Sequence, residues 1–242
     1  MWQIFGLAAI SKIPLDLKKM NGLVHYIVKC LYLIGTITMV VIVHSCRTAH
    51  SSVGSKITSN EQYDSIVVDK EGNRYAVKTV PENKVWITVN LKLTIPSSYY
   101  YNDLDEYAKQ YGRLYTWEAA QEGCALLGKG WRLPTKEDWQ ELGEAFGAIG
   151  REETNIAKRA YYPLLIGGKS QFNAVLGGGR NSDGSYARLE AHGFYWSGTR
   201  NDENTAWFAN FAKGSQALYL QPDGEKERGF SVRCLKSKQG VK

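Results

Sequence analysis

Between Gly112 and Trp139 the chain carries two helix starts joined by a tryptophan-marked turn, and this pattern constrains the fold more than any other. Gly112-Arg113-Leu114-Tyr115 reads as a strand. Thr116 is then a good N-cap, because its hydroxyl can accept from an orphan helix N–H. Trp117, Ala120, Cys124 and Leu127 follow at the spacing of one helical face. Gly128 and Gly130 end that helix, since glycine readily takes the left-handed conformation of a helix terminus. Trp131-Arg132-Leu133-Pro134 leads into a second start at Thr135. Glu137 and Asp138 there face the positive end of the helix dipole, and Trp139, Leu142 and Phe146 form its apolar stripe.

The flanking segments are strand-like. Ser65–Asp69 and Arg74–Val80 flank Lys70-Glu71-Gly72-Asn73, a hairpin signal. Val85–Leu93 alternates apolar and polar residues. After Tyr161-Tyr162-Pro163 come short strand candidates among glycine-bearing loops: Gln171–Leu176, Gly193–Ser197, Ala206–Phe211, Gln216–Leu220 and Gly229–Leu235. Helices early and antiparallel strands late predict an α+β domain.

The N-terminal segment differs from the rest. Cys30 to Val43 holds no charge and follows Lys18, Lys19 and Lys29. A run of about 14 apolar and uncharged residues is short for a bilayer span and fits a secretory leader. An uncleaved anchor helix is the alternative. Val43-His44-Ser45-Cys46 resembles a lipobox, in which the cysteine is lipidated and becomes the new N-terminus. Residues 1–45 are thus expected to be a signal peptide, with Met20 as a second candidate start. Residues 46–62, rich in Ser and Thr, form a lipidated tether, and 63–237 form one domain. The leader's four lysines and one aspartate carry +3 of the chain's +6. The remaining basic residues are scattered, whereas a nucleic-acid interface concentrates them. DNA and RNA are excluded as partners.

Gly112–Ala120, Gly130–Thr135, Trp139 and Phe230-Ser231-Val232-Arg233-Cys234 together resemble the Fibrobacter succinogenes major paralogous domain, a module of bacterial envelope proteins. The resemblance runs from about Ile66 to Lys236. It implies a C-type-lectin-like fold, with two early helices packed on short antiparallel strands. It also implies a disulfide between Cys124 and Cys234, which export to an oxidising compartment would allow to persist. Closing a loop of about 110 residues stabilises by roughly 4–5 kcal/mol in the chain-entropy account.

Motifs for chemistry are sparse. Downstream of the leader only His50 and His192 occur, and no Gly-x-Ser-x-Gly elbow accompanies them. Gly167-Gly168-Lys169-Ser170 lacks the earlier glycine of a phosphate loop, that place holding Pro163. Gln221-Pro222-Asp223, like a galactose-selecting tripeptide of calcium-dependent lectins, has no Trp-Asn-Asp partner and reads as a turn. Trp131-Arg132-Leu133-Pro134-Thr135 also resembles formylglycine-generating oxidases, which need a reactive cysteine pair. Cys46, Cys124 and Cys234 leave none to spare. No cofactor, metal or catalytic residue is expected. The expected function is a non-enzymatic binding or adhesion module, anchored to the envelope membrane by lipid, with a glycan or protein ligand. Polar loops on a rigid frame are the usual place for recognition. The contact candidates are Arg200, Asn201, Asp202, Asn204 and Tyr219, then Asn181, Asp183 and Tyr186 in the glycine-rich loop. An oxidase and a ligand-free structural protein are the competing expectations. Cys46→Ala should leave the precursor unprocessed and unlabelled by radiolabelled fatty acid; normal labelling would rule out lipidation there.

Overall fold

The computed structural model describes residues 63–81, 83–147 and 157–237, all within one compact unit, Ser59–Lys242. The expected leader, Cys46 and most of the tether lie outside the described residues. In chain order the strands are β1 (Ser65–Val68), β2 (Arg74–Thr79), β3 (Lys84–Ile87), β4 (Ser98–Tyr99), β5 (Leu114–Tyr115), β6 (Gly177–Arg180), β7 (Tyr186–Leu189), β8 (His192–Arg200), β9 (Thr205–Ala212), β10 (Ala217–Glu225) and β11 (Leu235–Ser237). The α-helices are α1 (Ala108–Tyr111), α2 (Trp117–Ala125), α3 (Lys136–Phe146) and α4 (Ala157–Leu164). One sheet has the order β1-β2-β3-β11, a second β10-β9-β8-β6-β7, and β4 pairs with β5.

This overturns the expected α+β, C-type-lectin-like arrangement of two helices on short strands. Strand outweighs helix, and the strands gather into two curled half-barrel sheets. The reason lies in β8 and β9. Successive side chains of a strand point to opposite faces, and neighbours Tyr195 and Trp196 are both fully buried. Tyr195 packs with Trp86, Trp139, Phe172 and Phe211; Trp196 packs with Trp117, Phe208 and Phe230. A sheet covered on both faces reads as a continuous apolar run, so Phe194-Tyr195-Trp196 and Ala206–Ala212 show no alternation from which to judge strand length. β8 and β10 each run nine residues.

The two helix starts do occur where their caps stand, with one difference. Thr135 closes a capping box, its side chain accepting from Asp138 N while the Asp138 carboxylate accepts from Thr135 N. Thr116 occupies the N-cap position but its side chain makes no cap bond. The Trp117 N–H donates instead to Lys226 O at 2.9 Å, which ties α2 to the C-terminal segment. The disulfide Cys124–Cys234 makes the same connection covalently.

The Gly229–Leu235 candidate strand is a seam that becomes regular strand only at Leu235, where β11 begins. Gly229 exchanges backbone hydrogen bonds with Arg180, Phe230 with Tyr115 and Leu235 with Arg132; Ser231 donates to Phe194 O and accepts from Trp196 N. Val232 O and Cys234 O accept from Leu91 and Ile87. Every buried polar group needs a partner, and this segment finds its partners in both sheets. Gln171–Leu176 likewise stays irregular, touching Leu165 through a single bridge at Ala174.

Asp138 also anchors charge. It is almost fully buried and takes Arg132 Nη1 at 2.6 Å and Lys84 Nζ at 2.5 Å. Burial alone would raise its carboxyl, but hydrogen bonds from Arg132, Lys84 and the Thr135 N–H overrule burial and bring it down to about 2. A depressed folded pKa adds stability above the unfolded value, near 4, that is lost as pH falls through about 2. Asp138→Asn should therefore lower stability by about 2 kcal/mol at pH 6. Between pH 5 and 2 its thermal midpoint should fall less than that of the wild type. Parallel acid slopes in the two proteins would refute the assignment.

Candidate functional site

The β8–β9 turn carries Arg200, Asn201, Asp202 and Asn204, all exposed. Its polar side chains build the turn itself. Asp202 Oδ1 accepts from Asn204 N at 2.8 Å and Thr205 N at 2.7 Å, and Asn201 Nδ2 donates to Thr205 Oγ1 at 3.0 Å. The bonds from Thr205, then Asn204, hold the Asp202 carboxyl below its ordinary value. The glycine-rich turn is organised in the same way. Asp183 Oδ1 accepts from Ser185 N and Oγ, and Asn181 Nδ2 donates to Ser185 Oγ at 2.9 Å. Tyr186 donates to Asp103 Oδ1 at 2.6 Å; burial, then Asp103, push its hydroxyl up to about 12.

The fold brings these two turns together. Ser182 Oγ donates to Glu225 Oε2, and the neighbouring Lys226 Nζ donates to Asp202 O at 2.8 Å. Ser182 and Asn204 border a common hollow of about 320 Å3, whose other walls include Glu118, Glu203, Glu225 and Glu227. Tyr219 is not part of it. It pairs with Asn210 on β9, five residues from Thr205, or about 17 Å along a strand.

A larger site escaped the sequence reading. A groove of about 630 Å3 opens between the segment after β3, the C-terminal end of α1, the segments flanking Leu165 and Ala174, and the turns at Glu190 and Lys213. Its volume falls in the range of small-molecule sites. The floor is rigid. Asn90, almost fully buried, donates from Nδ2 to Tyr111 O at 2.7 Å and Ser231 Oγ at 3.1 Å, and accepts Arg233 Nε at 2.7 Å. Arg233, fully buried, donates from Nη1 to Phe172 O and from Nη2 to Asn173 O, each at 2.6 Å. Burial pulls its guanidinium below the ordinary value. Gly112 meets the floor so closely that a Cβ would lie 2.7 Å from that of Asn90.

One wall is apolar: Val89, Leu165, Val175, Leu176 and Ile166, the last 71% exposed. The Tyr195 hydroxyl fixes it, accepting from Val175 N at 2.8 Å and donating to Val175 O at 2.7 Å. The rim is charged. Lys92, Lys109 and Lys213 reach it from three elements, and none of the three makes an ion pair with a described residue. Glu190 is the rim's one carboxylate among the described residues, and Tyr111 Oη donates to it at 3.0 Å. Burial, then Glu190, push that hydroxyl up to about 12. Among the described residues no three His, Cys, Asp or Glu side chains are placed to hold a metal ion.

The model of the Fibrobacter succinogenes major domain matches residues 46–236. The chain belongs to this family. The groove, the seam and the disulfide of this Fibrobacter succinogenes major domain all lie inside the matched span. Neither the curated proteins nor the solved structures contain a match to the chain.

Floor and rim should respond differently to substitution. Arg233→Met strands carbonyls of Phe172 and Asn173 and the Asn90 amide, and should destabilise by about 3–5 kcal/mol. Alanine at Lys92, Lys109 or Lys213 should change stability by about 0.5 kcal/mol or less. Denaturant midpoints check both, and a tolerated Arg233→Met would show that the floor does not depend on it.

Proposed function

We propose that this domain is a non-enzymatic binding module, held at the bacterial envelope through lipidated Cys46, and that the groove is where it binds. The ligand is a carbohydrate or a protein segment. The observation that carries the reading is the contrast between a floor whose polar groups are all engaged within the fold and a rim whose lysines are not. A binding site works by being preorganised, so that ordering is not charged against affinity. Asn90 and Arg233 supply the fixed part, and exposed side chains supply contact. The two polar turns fit this role less well, because Asp183 and Asp202 hold their own backbone in shape and Asn181 and Asn201 bond to side chains of the same turns.

Glycan-array and pull-down screens of the purified protein test the reading. Gln110 is exposed on the groove wall, so Gln110→Trp should block the groove and abolish capture while the thermal midpoint stays near wild type. A quadruple alanine variant of Arg200, Asn201, Asp202 and Asn204 should keep capture. The reverse pattern would place the site on the turns.

A further inference from the structure

Charge around the groove is unbalanced. Lys92, Lys109 and Lys213 stand on its rim without an ion-pair partner among the described residues, and the Arg233 guanidinium lies beneath with neutral acceptors only. Against these four cations stands Glu190, already engaged by the Tyr111 hydroxyl. A cleft lined by one sign of charge, with low-dielectric walls, concentrates ions of the opposite sign. The occupant should be anionic. Because the lysines come from three separate elements spread around the opening, one compact anion meets them less well than a chain with repeated negative groups.

The walls distinguish a glycan from a peptide. An added peptide strand needs free main-chain donors and acceptors. Here the N–H groups of Thr88, Leu91, Lys92 and Val175 already go to Ala76 O, Val232 O, the Tyr75 hydroxyl and the Tyr195 hydroxyl. The aliphatic wall and the flexible ammonium groups suit the C–H face of a sugar ring and the carboxylate on its edge. We propose that the groove binds an acidic oligosaccharide, a chain bearing uronate carboxylates. This rests on the groove being the binding site.

The test is calorimetric titration of the purified protein with oligogalacturonate, with the same oligomer methyl-esterified, and with poly-glutamate. Oligogalacturonate should bind, and esterification should weaken it at least about tenfold. The triple variant Lys92→Ala, Lys109→Ala, Lys213→Ala should weaken it as much, with lysine-to-arginine replacements restoring it. Raising the salt should weaken binding in the wild type more than in the triple variant. Equal affinity for the esterified chain, or no binding of the uronate, would overturn the proposal. Poly-glutamate binding as tightly as the uronate would overturn its glycan half. Gln110→Trp separates the two levels of inference: a neutral glycan whose binding it abolishes would refute the acidic ligand and leave the groove as the site.

Discussion

The fold depends on a buried cation. Arg233 sits at zero exposure in the Gly229–Leu235 seam, and its donors reach Asn90 after β3 and the carbonyls of Phe172 and Asn173 in the irregular stretch before β6. Planar guanidinium geometry lets one side chain serve several acceptors at fixed angles. The segments it joins have no regular ladder between them, so their carbonyls would otherwise be buried without partners. Phe172 and Tyr195 rings lie 4.8 and 5.7 Å from its Cζ, adding cation–π contact. The disulfide one residue on, Cys124–Cys234, clamps the same seam to α2. Each sheet is thus fastened to a segment that lies in no strand until Leu235, where β11 begins.

Local signals in the chain were legible and long-range ones were not. Thr135 with Asp138 three residues later is a capping box that needs only nearest-neighbour chemistry, and it forms. Lys70-Glu71-Gly72-Asn73 likewise marks the β1–β2 turn, with Asp69 accepting from Glu71 N and Asn73 N. The architecture failed to show because the strongest apolar segments, in β8 and β9, are buried on both faces and so lose the period-two pattern that reveals a strand. Phe230-Ser231-Val232-Arg233-Cys234 stood out as a motif, but the partners of its Arg233 side chain lie 60 to 146 residues away. Nothing in a linear pattern names them.

The groove was illegible for a related reason. Lys92, Lys109 and Lys213 sit at separate points of the chain, where they read as scattered surface lysines; only the closure of α1 and the β9–β10 turn around Asn90 gathers them. The polar turns were legible as turns, from their Asn, Asp, Ser and Gly content. That content is ambiguous, because residues that suit sugar contacts are also those that hydrogen-bond their own backbone. At Asp183 and Asp202 the backbone takes the carboxylate.

Two buried or half-buried charge centres in this molecule are solved in opposite ways, and the difference bears on what the groove can do. At α3, Asp138 and Glu141 meet Arg132 and Lys84, so the fields largely cancel and the result is structural. Under the groove, Arg233 meets carbonyl and amide oxygens. These satisfy its N–H groups yet carry no net charge, and burial accordingly pulls it below its ordinary value. A carboxylate at Asn90, close to isosteric with the amide, would neutralise the guanidinium, but it would lose the donor that reaches Tyr111 O and Ser231 Oγ. The amide keeps both sides of the floor together and leaves the positive field uncancelled. That field then adds to that of the rim lysines, so the residue that ties the seam to Asn90, Phe172 and Asn173 also contributes to the positive charge of the groove.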